Sequence, residues 1–365
     1  QKDELKALAI MTEQIDPIYA EFAPQIQGLL RALHKNAPDS NFATWSFDAW
    51  RPKATSVSAD LPTPAWEDEE CGPVLRIQAP AQLEAARALC RAWTPGLLHV
   101  HHAMLWEESG LLAEGVRPRY FHVHTLQAEQ ERLRGQTQGT LSSAAESKAL
   151  EEADAVIVPG QAAAMALLRH VPAVEDKLHI IGLGVETPTL SRPARDGLPI
   201  VLVAGRFSDV KGTDLLCEIL PRVLHGQPEA RVRLAGGCPE NLRAQRRWLR
   251  RLQESLGAGW ARVDFLGWLG PEALADEYRR ARLLLCPSRF ETFGRGVAEA
   301  MAHGLPVVAA RAGGLIERIE DGVDGRLCPV GDVQAMGAAC LELLSHPAEA
   351  LRLGQAAVGR ARARD

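Results

Sequence analysis

The sequence has few features of a secreted, membrane-spanning or disulfide-bonded protein. Its seven cysteines are odd in number and scattered, with no Cys-x-x-Cys pair, so we expect neither a disulfide framework nor a zinc ribbon. No apolar run approaches the ~20 residues of a membrane-spanning helix, and the first residues lack the pattern of a signal peptide. We therefore expect a cytoplasmic, reducing setting without stable membrane insertion.

An excess of one charge is also missing. The chain has 41 basic and 46 acidic residues and a formal net charge of -5, which leaves no global field to attract nucleic acid. We therefore expect no nucleic-acid partner. Hydrophobic residues form 46% of the chain and charged residues 24%, as in ordinary folded proteins. At ~150 residues per domain, the 365 residues predict two domains.

The sequence does contain a regular alternation of short apolar runs with longer helical patterns, which is typical of βαβ units and parallel sheets. In the first half it predicts strands at Leu5–Met11, Phe42–Phe47, Val74–Ile77, Leu97–His101, Tyr120–His124, Ala155–Pro159 and Leu178–Ile181, with helices between them. In the second half it predicts strands at Ile200–Ala204, Arg231–Ala235, Val263–Leu266, Leu283–Cys286 and Val307–Ala309. The stretch Gly182–Pro199 is rich in Gly and Pro and is predicted to be a linker.

We therefore predict an α/β fold with two doubly wound, Rossmann-like domains, residues 1–187 and 188–365, that face each other across a cleft. Ligands of such sheets bind at the carboxyl ends of the strands. The residues that follow the strands are therefore the candidates for function.

The segment Pro287–Pro306 carries the clearest chemical signal. A helix is predicted to start near Gly294, so the backbone amides of Phe293, Gly294 and Arg295 can receive a phosphate without a side chain or a metal ion. Glu299, about a turn and a half into that helix, can bind a pair of vicinal ribose hydroxyls. Glu291 precedes the helix and would face the group attached beyond the phosphate.

A second signal follows the strand at Ile200–Ala204. Gly205-Arg206 comes directly after it and Lys211-Gly212 opens the next helical segment, so two cations can neutralise a diphosphate leaving group. Taken alone, the two glutamates could be surface carboxylates around a buried helix, and a lone Arg is usually solvated. The combination of all four charged residues with the two strand–loop–helix patterns is more specific than any of these residues alone.

This combination resembles the family-4 glycosyltransferases of the GT-B fold. The resemblance rests on Ala204-Gly-Arg206, Lys211-Gly212, Leu234-Ala-Gly-Gly237, Val263-Asp-Phe-Leu-Gly267, Pro287-Ser288, the pair Glu291 and Glu299, Gly304-Leu-Pro-Val-Val308 and Ala312-Gly-Gly-Leu315. It implies that Arg206 and Lys211 bind the donor diphosphate, that Glu299 binds the ribose and that Glu291 binds the transferred sugar. It also implies that the loop at Gly267-Trp268 borders the base.

In the first domain the resemblance rests on Leu97-Leu-His-Val-His-His102, Phe121-His-Val-His-Thr125, Glu146 and Ala153-Asp-Ala-Val-Ile-Val-Pro159. It implies that His124 reaches the donor sugar. The family also implies metal-independent transfer of a hexosyl group, with retention of anomeric configuration, to a carbohydrate or small-molecule hydroxyl. The sequence leaves uracil, guanine and adenine open as the donor base, and we take a UDP-sugar as the working expectation.

Other interpretations stay open. Two His-x-His runs could chelate a metal ion, but neither continues into the Asp-His of a binuclear hydrolase, and we predict no metal site and no cofactor. An epimerase or a glycoside phosphorylase of the same fold would use a similar phosphate site. A nucleotide-sugar-binding protein without transfer activity is a further alternative.

The sequence departs from the family in two places. Family members commonly carry a Gly-Gly loop after the first strand, whereas Met11-Thr-Glu-Gln-Ile-Asp-Pro17 has no glycine. We therefore expect an unusual acceptor side. The long closing helix of the family is not found before Asp365, so either the chain is truncated or hinge closure is coupled differently.

Overall fold

The computed structural model describes residues 8–12, 29, 31–32, 42–46, 66–69, 72–76, 82–92, 95–135, 140–185, 188, 197, 199–239 and 241–362. These residues form two compact units, with the main boundary between Leu183 and Gly184. Each unit contains one sheet. Most of the predicted linker Gly182–Pro199 lies outside the described residues, and its described part contains no helix or strand.

Within the described part of unit 1, the sheet has eight strands. Their bounds in chain order are β1 Leu8–Thr12, β2 Phe42–Ser46, β3 Trp66–Glu69, β4 Gly72–Arg76, β5 Leu97–Val100, β6 Arg119–His122, β7 Ala155–Val158 and β8 Leu178–Ile180. The spatial order is β3-β4-β2-β1-β5-β6-β7-β8. All neighbours run parallel except β3, which lies antiparallel to β4 at one edge.

The sheet of unit 2 has six strands, all parallel. Their bounds are β9 Ile200–Arg206, β10 Arg231–Gly237, β11 Val263–Gly267, β12 Leu283–Cys286, β13 Val307–Ala310 and β14 Arg326–Cys328. The spatial order is β11-β10-β9-β12-β13-β14. The order reverses at β9, which has β10 on one side and β12 on the other, and such a switch point is the usual ligand site of a doubly wound sheet.

Twelve α-helices lie within the described residues. They are α1 Leu83–Ala92, α2 Trp106–Leu112, α3 Gln127–Leu133, α4 Leu141–Glu152, α5 Gln161–His170, α6 Leu216–Gly226, α7 Leu242–Leu256, α8 Pro271–Arg280, α9 Arg295–Ala302, α10 Leu315–Arg318, α11 Val333–Ser345 and α12 Pro347–Arg362. None of these helices is both long and apolar enough to cross a bilayer.

The core of unit 2 covers both faces of its sheet. Val201 and Val203 of β9 join one buried cluster and Leu202 joins the other, because successive strand residues point to opposite faces. Helix α6 covers the first face with Leu216, Ile219, Leu220, Val223 and Leu224, a stripe at helical spacing. A sheet buried on both faces explains why these strands are continuous apolar runs.

The α/β prediction is confirmed, and most strand positions agree to within one or two residues. One predicted helical segment was wrong. Residues Trp66–Glu69, which lie in that segment, form the antiparallel edge strand β3. Its Trp-Glu-Asp-Glu sequence has no apolar run, since an edge strand pairs on one side only. The three-residue strand β14 was not predicted. Residues 5–7 of the first predicted strand lie outside the described part of the chain.

Candidate functional site

All the predicted donor residues except Trp268 lie at or after the carboxyl ends of β9 and β12, which are neighbours in the sheet. Gly212 brings the two following loops together. Its φ is +69°, and a β-carbon there would lie 2.2 Å from the carbonyl oxygen of Pro287. Only glycine therefore allows the Lys211 loop to pack directly against the segment that carries Glu291.

The close approach of the loops creates an ion pair. Lys211 Nζ donates hydrogen bonds to both carboxylate oxygens of Glu291, at 2.9 Å each. Ser288 Oγ also donates to Glu291 Oε1 at 2.8 Å. The side chain of Lys211 is 29% exposed and that of Glu291 is 13% exposed. The carboxylate is therefore held in place, while the ammonium stays accessible. The sequence placed both residues in one site, and the structure brings them into contact.

Arg206, the last residue of β9 and a predicted diphosphate ligand, lies beside Trp268, which was predicted to border the base. Its guanidinium carbon is 5.5 Å from the ring centroid of Trp268, a cation-π distance. Trp268 follows β11, and both side chains are half-buried. Gly205, just before Arg206, is exposed and has open space where a side chain would begin.

Helix α9 starts at Arg295, and Gly294 is its N-terminal cap with φ +81°. The amides of a first helical turn have no acceptor within the helix and carry partial positive charge, as predicted for the phosphate position. Phe293 is 4% exposed, and the guanidinium of Arg318 lies 3.4 Å from its ring centroid. Its side chain therefore anchors the loop, and only its backbone can contact a ligand.

Glu299 points to two partners of its own unit. Arg295 Nε donates to Glu299 Oε1 at 2.6 Å, and the hydroxyl of Tyr278 donates to Oε2 at 3.2 Å. Glu299 is 22% exposed. Burial, followed by the charge of Glu299, raises the pKa of Tyr278 well above its usual value. The phenol therefore remains a hydrogen-bond donor that orients the carboxylate.

Two residues that hold the candidate site in place were not predicted from the sequence. Tyr278 lies on α8 and gives no local signal of its contact with α9. Arg289 makes a bidentate pair with Asp214, with both bonds at 2.7 Å, and its amide donates to Val210 O at 2.7 Å. Burial opposes the ionisation of Asp214, but hydrogen bonds including that of Arg289 lower its pKa overall. This tie fixes the two loops of the Lys211–Glu291 pair.

In unit 1, His124 is buried and lies two residues beyond β6, which ends at His122. The predicted strand extended to His124. Its Nε2 lies 2.8 Å from Nδ1 of His101. A pocket next to these rings is lined by His101, Met104, His122, His124, Thr125 and Glu146, among others. The absence of a metal ion from this chain stays a prediction.

Burial determines the charge state around this pocket. It lowers the pKa of His99 to about 3 and that of His122 to about 4, so both imidazoles are neutral at pH 7. Burial also raises the pKa of Glu146 to about 7, although the amides of Gln127 and Ala128 donate to its carboxylate and act in the opposite direction. Glu146 therefore changes its protonation state near neutral pH.

Two family models match the chain. The model described as glycosyl transferases group 1 covers residues 198–346, and the model described as glycosyltransferase family 4 covers residues 70–188. The chain is 33% identical to the D-inositol 3-phosphate glycosyltransferase of Streptomyces scabiei over 313 residues, which cover 78% of this chain and 69% of that enzyme. It is 30% identical to the Mycolicibacterium smegmatis enzyme of the same name over 269 residues.

The matches to curated relatives differ in extent. The alignment spans 71% of this chain but 56% of the Mycolicibacterium smegmatis enzyme, and 74% of this chain but 57% of the Streptomyces avermitilis enzyme. The chain thus spans little more than half of the length of these relatives. Activity and substrates therefore do not pass from them to this chain without a test.

Solved structures share the fold across nearly the whole chain. Sucrose-phosphate synthase from Thermosynechococcus elongatus superposes with a TM-score of 0.80 at 24% identity, covering 98% of this chain and 94% of that one. Anabaena HepE in complex with UDP and glucose superposes with a TM-score of 0.74 at 20% identity, covering 98% and 95%. These similarities confirm the predicted GT-B fold.

Proposed function

Because the chain belongs to the family-4 glycosyltransferases, we propose that it transfers a hexosyl group from a nucleotide-diphosphate sugar to an acceptor hydroxyl. The proposal includes retention of anomeric configuration and no requirement for a metal ion in the transfer step. UDP is the proposed nucleotide, and its presence in the HepE complex supports that choice. The proposed acceptor is a carbohydrate or small molecule, and the proposed setting is the cytoplasm.

One observation carries this proposal. The ion pair of Lys211 and Glu291, at 2.9 Å, and the first turn of α9 lie together at the switch point of a single parallel sheet. A diphosphate needs positive charge and hydrogen-bond donors, which Lys211 and the α9 amides offer. A sugar needs an oriented carboxylate close to them, which Glu291 offers.

We propose the following transfer step. The bond between the sugar C1 and the diphosphate oxygen breaks, and its electron pair leaves with the diphosphate. Arg206, Lys211 and the helix-start amides of Phe293, Gly294 and Arg295 stabilise the developing negative charge. The acceptor oxygen bonds to C1 on the face that the diphosphate leaves, and its proton passes to the leaving phosphate oxygen.

The remaining predicted residues bind the donor in this proposal, apart from His124. Glu299, oriented by Arg295 and Tyr278, binds the ribose hydroxyls. Trp268, with Gly205 nearby, borders the nucleotide. His124 of unit 1 takes part in the transfer step, a role that rests on the family resemblance. The protein supplies the positive charge itself, which is why no metal ion is needed at the diphosphate.

The first test is a thermal-shift panel of UDP, GDP and ADP, with EDTA present. A ligand at 100 times its Kd stabilises a protein by about 2.7 kcal/mol, so we expect a clear rise in Tm with UDP. Glu299→Ala should lose this rise. Glu254→Ala, which removes an exposed carboxylate of α7, is the matched control and should keep it. No shift with any nucleotide would contradict the donor site.

Transfer itself is tested by the release of UDP from UDP-sugars with and without acceptors, after EDTA treatment. Loss of one charge-stabilising donor costs about 10²- to 10³-fold in kcat, and we expect this loss for Lys211→Met. Turnover within a few-fold of wild type in both Lys211→Met and Arg206→Met would refute the assigned roles. Donor binding without transfer or slow donor hydrolysis would favour a binding protein, and an inverted product anomer would refute retention.

A further inference from the structure

Three histidines of unit 1 lie on one face of its sheet. His99 lies on β5, and His101 comes directly after that strand, two residues beyond His99, so both side chains point the same way. Val100 pairs with Phe121 of the neighbouring strand β6, and the next residues along, His101 and His122, are therefore also neighbours. The sequence shows two His-x-His runs, and the register of β5 and β6 places these two runs side by side.

The three imidazoles are close enough to share one ion. One ring nitrogen from each of His99, His101 and His122 lies within 4.8 Å of the others. A tetrahedral zinc ion with Zn–N bonds of 2.0–2.1 Å separates its ligand nitrogens by about 3.4 Å. Side-chain rotations that move each ring nitrogen by on the order of 1 Å would give this spacing. The strands would stay in place.

Their nitrogens also lack the partners that burial demands. His101 is 4% exposed and His122 is 6% exposed. Among the described residues, nothing hydrogen-bonds to His99 Nε2, His101 Nε2 or either ring nitrogen of His122. Burying a polar atom without a partner is unfavourable, so several such nitrogens that face one another form a set suited to binding an ion.

In place of the sequence-based prediction of no metal site, we propose that His99, His101 and His122 bind a divalent transition metal ion of the zinc type. Neutral imidazole is a preferred ligand of zinc, copper and nickel, whereas magnesium and calcium prefer oxygen ligands. The nearby carboxylate of Glu146 accepts the amides of Gln127 and Ala128 and is not part of the ligand set. Three protein ligands leave one coordination position, and the adjoining pocket gives access to it.

The contact between His101 and His124 completes the site. A histidine that binds a metal through one nitrogen usually donates its other N–H to a neighbouring group, which fixes its tautomer. If Nε2 of His101 binds the ion, its Nδ1–H donates to Nε2 of His124 across 2.8 Å. The ion would then fix the tautomer of His101 and, through this contact, the orientation of the His124 ring. This site is separate from the donor site of unit 2.

The test uses the full chain without a histidine tag, freed of metal by EDTA and then of EDTA by dialysis. Co²⁺ serves as the probe because its visible absorption reports the number of ligands and their geometry. We expect one equivalent to bind with a tetrahedral spectrum that Zn²⁺ displaces. His101→Asn and His122→Asn should each weaken binding more than 10-fold, whereas the exposed His179 of β8 provides the control His179→Asn, which should bind normally.

Absence of stoichiometric Co²⁺ binding, or unchanged binding in His122→Asn, would overturn the proposal. If either variant fails to fold, X-ray absorption of the zinc-loaded wild type decides without a substitution. Imidazole nitrogens at about 2.0 Å support the site, and sulfur ligands at about 2.3 Å refute it. None of these readouts depends on sugar transfer, so failure here leaves the proposed transferase function standing.

Discussion

The Lys211–Glu291 ion pair is expected to contribute to stability as well as to turnover. Glu291 is the more buried partner, at 13% exposed, and Ser288 shares in holding it. Removing the charge of Lys211 leaves the largely buried carboxylate of Glu291 without its cation. This loss lowers the free energy of unfolding more than the loss of an exposed ion pair does. Substitutions of Lys211 are therefore expected to reduce stability as well as turnover, and Tm should be measured beside kcat.

Glu146 gives the protein a pH-dependent stability. Its folded pKa of about 7 lies above the value of about 4.3 for an unfolded glutamate. Between these pH values Glu146 binds more protons in the folded state than in the unfolded state, so its contribution to the free energy of unfolding is fully present below about pH 4.3 and is lost as the pH rises through about 7. The slope from this group is up to about 1.4 kcal/mol per pH unit.

Urea denaturation at several pH values measures this slope. Glu146→Gln keeps the size of the side chain but cannot ionise, so its free energy of unfolding should depend less on pH over this window. Glu151→Gln removes an exposed carboxylate of the same helix and should behave like wild type. Equal slopes for wild type and Glu146→Gln would contradict the assignment.

The sequence could predict residues that act next to strand ends, because a strand–loop–helix pattern is local. Arg206, Lys211, Glu291 and Glu299 were placed in one site, and the structure puts Lys211 in contact with Glu291. Tyr278 could not be predicted in this way, since its contact with Glu299 depends on how α8 packs against α9. The histidine cluster likewise depends on the register of β5 and β6.

At the scale of elements, the start of helix α9 is fixed by Gly294. Its φ of +81° suits glycine, and an added β-carbon would lie 2.5 Å from Cδ2 of Leu315. Backbone strain of this kind costs about 1–3 kcal/mol. The position of the amides that are proposed to bind phosphate thus depends on a glycine at residue 294.

The substitution Gly294→Ala should therefore lower the free energy of unfolding by about 1–3 kcal/mol and weaken UDP binding. Gly296→Ala is the matched control, because Gly296 lies inside α9 and its β-carbon would meet only the Tyr278 hydroxyl at 3.5 Å. Alanine has a higher helix propensity than glycine, so at this second residue of α9 the variant should be no less stable than wild type. Urea denaturation and UDP titration compare the two, and equal stability would refute the steric argument.

Element prediction succeeded where burial leaves a pattern. Strands β12 and β13 are apolar along their whole length because both faces are covered. Strand β3 pairs with one neighbour only and carries three acidic residues in four, and β14 has three residues. Neither offers a periodicity long enough to recognise.

At the scale of the whole molecule, each unit has buried apolar residues of its own. In unit 1, Leu98, Val100 and Val156 are fully buried, and in unit 2, Leu202 and Leu283 are fully buried. Proteins with more than one domain often depart from two-state unfolding. The chain is therefore expected to unfold in two separate thermal transitions.

Scanning calorimetry should show these two transitions, and UDP should raise the Tm of only one of them, since the proposed nucleotide site lies within unit 2. Gly294→Ala identifies that transition independently, because it should lower the same Tm that UDP raises. A single transition, or an equal shift of both, would show that the units unfold together.

The order of strands in unit 2 also affects how the chain is made. Strand β9 is the first of its sheet to leave the ribosome, yet residues 201–202 pair with residues 283–284 of β12. At about 5–20 residues per second, the roughly 80 residues between them take roughly 4–16 s to synthesise. During that interval the apolar residues of β9 lack one neighbouring strand. A chaperone that binds extended apolar segments would find its target in the nascent chain at β9.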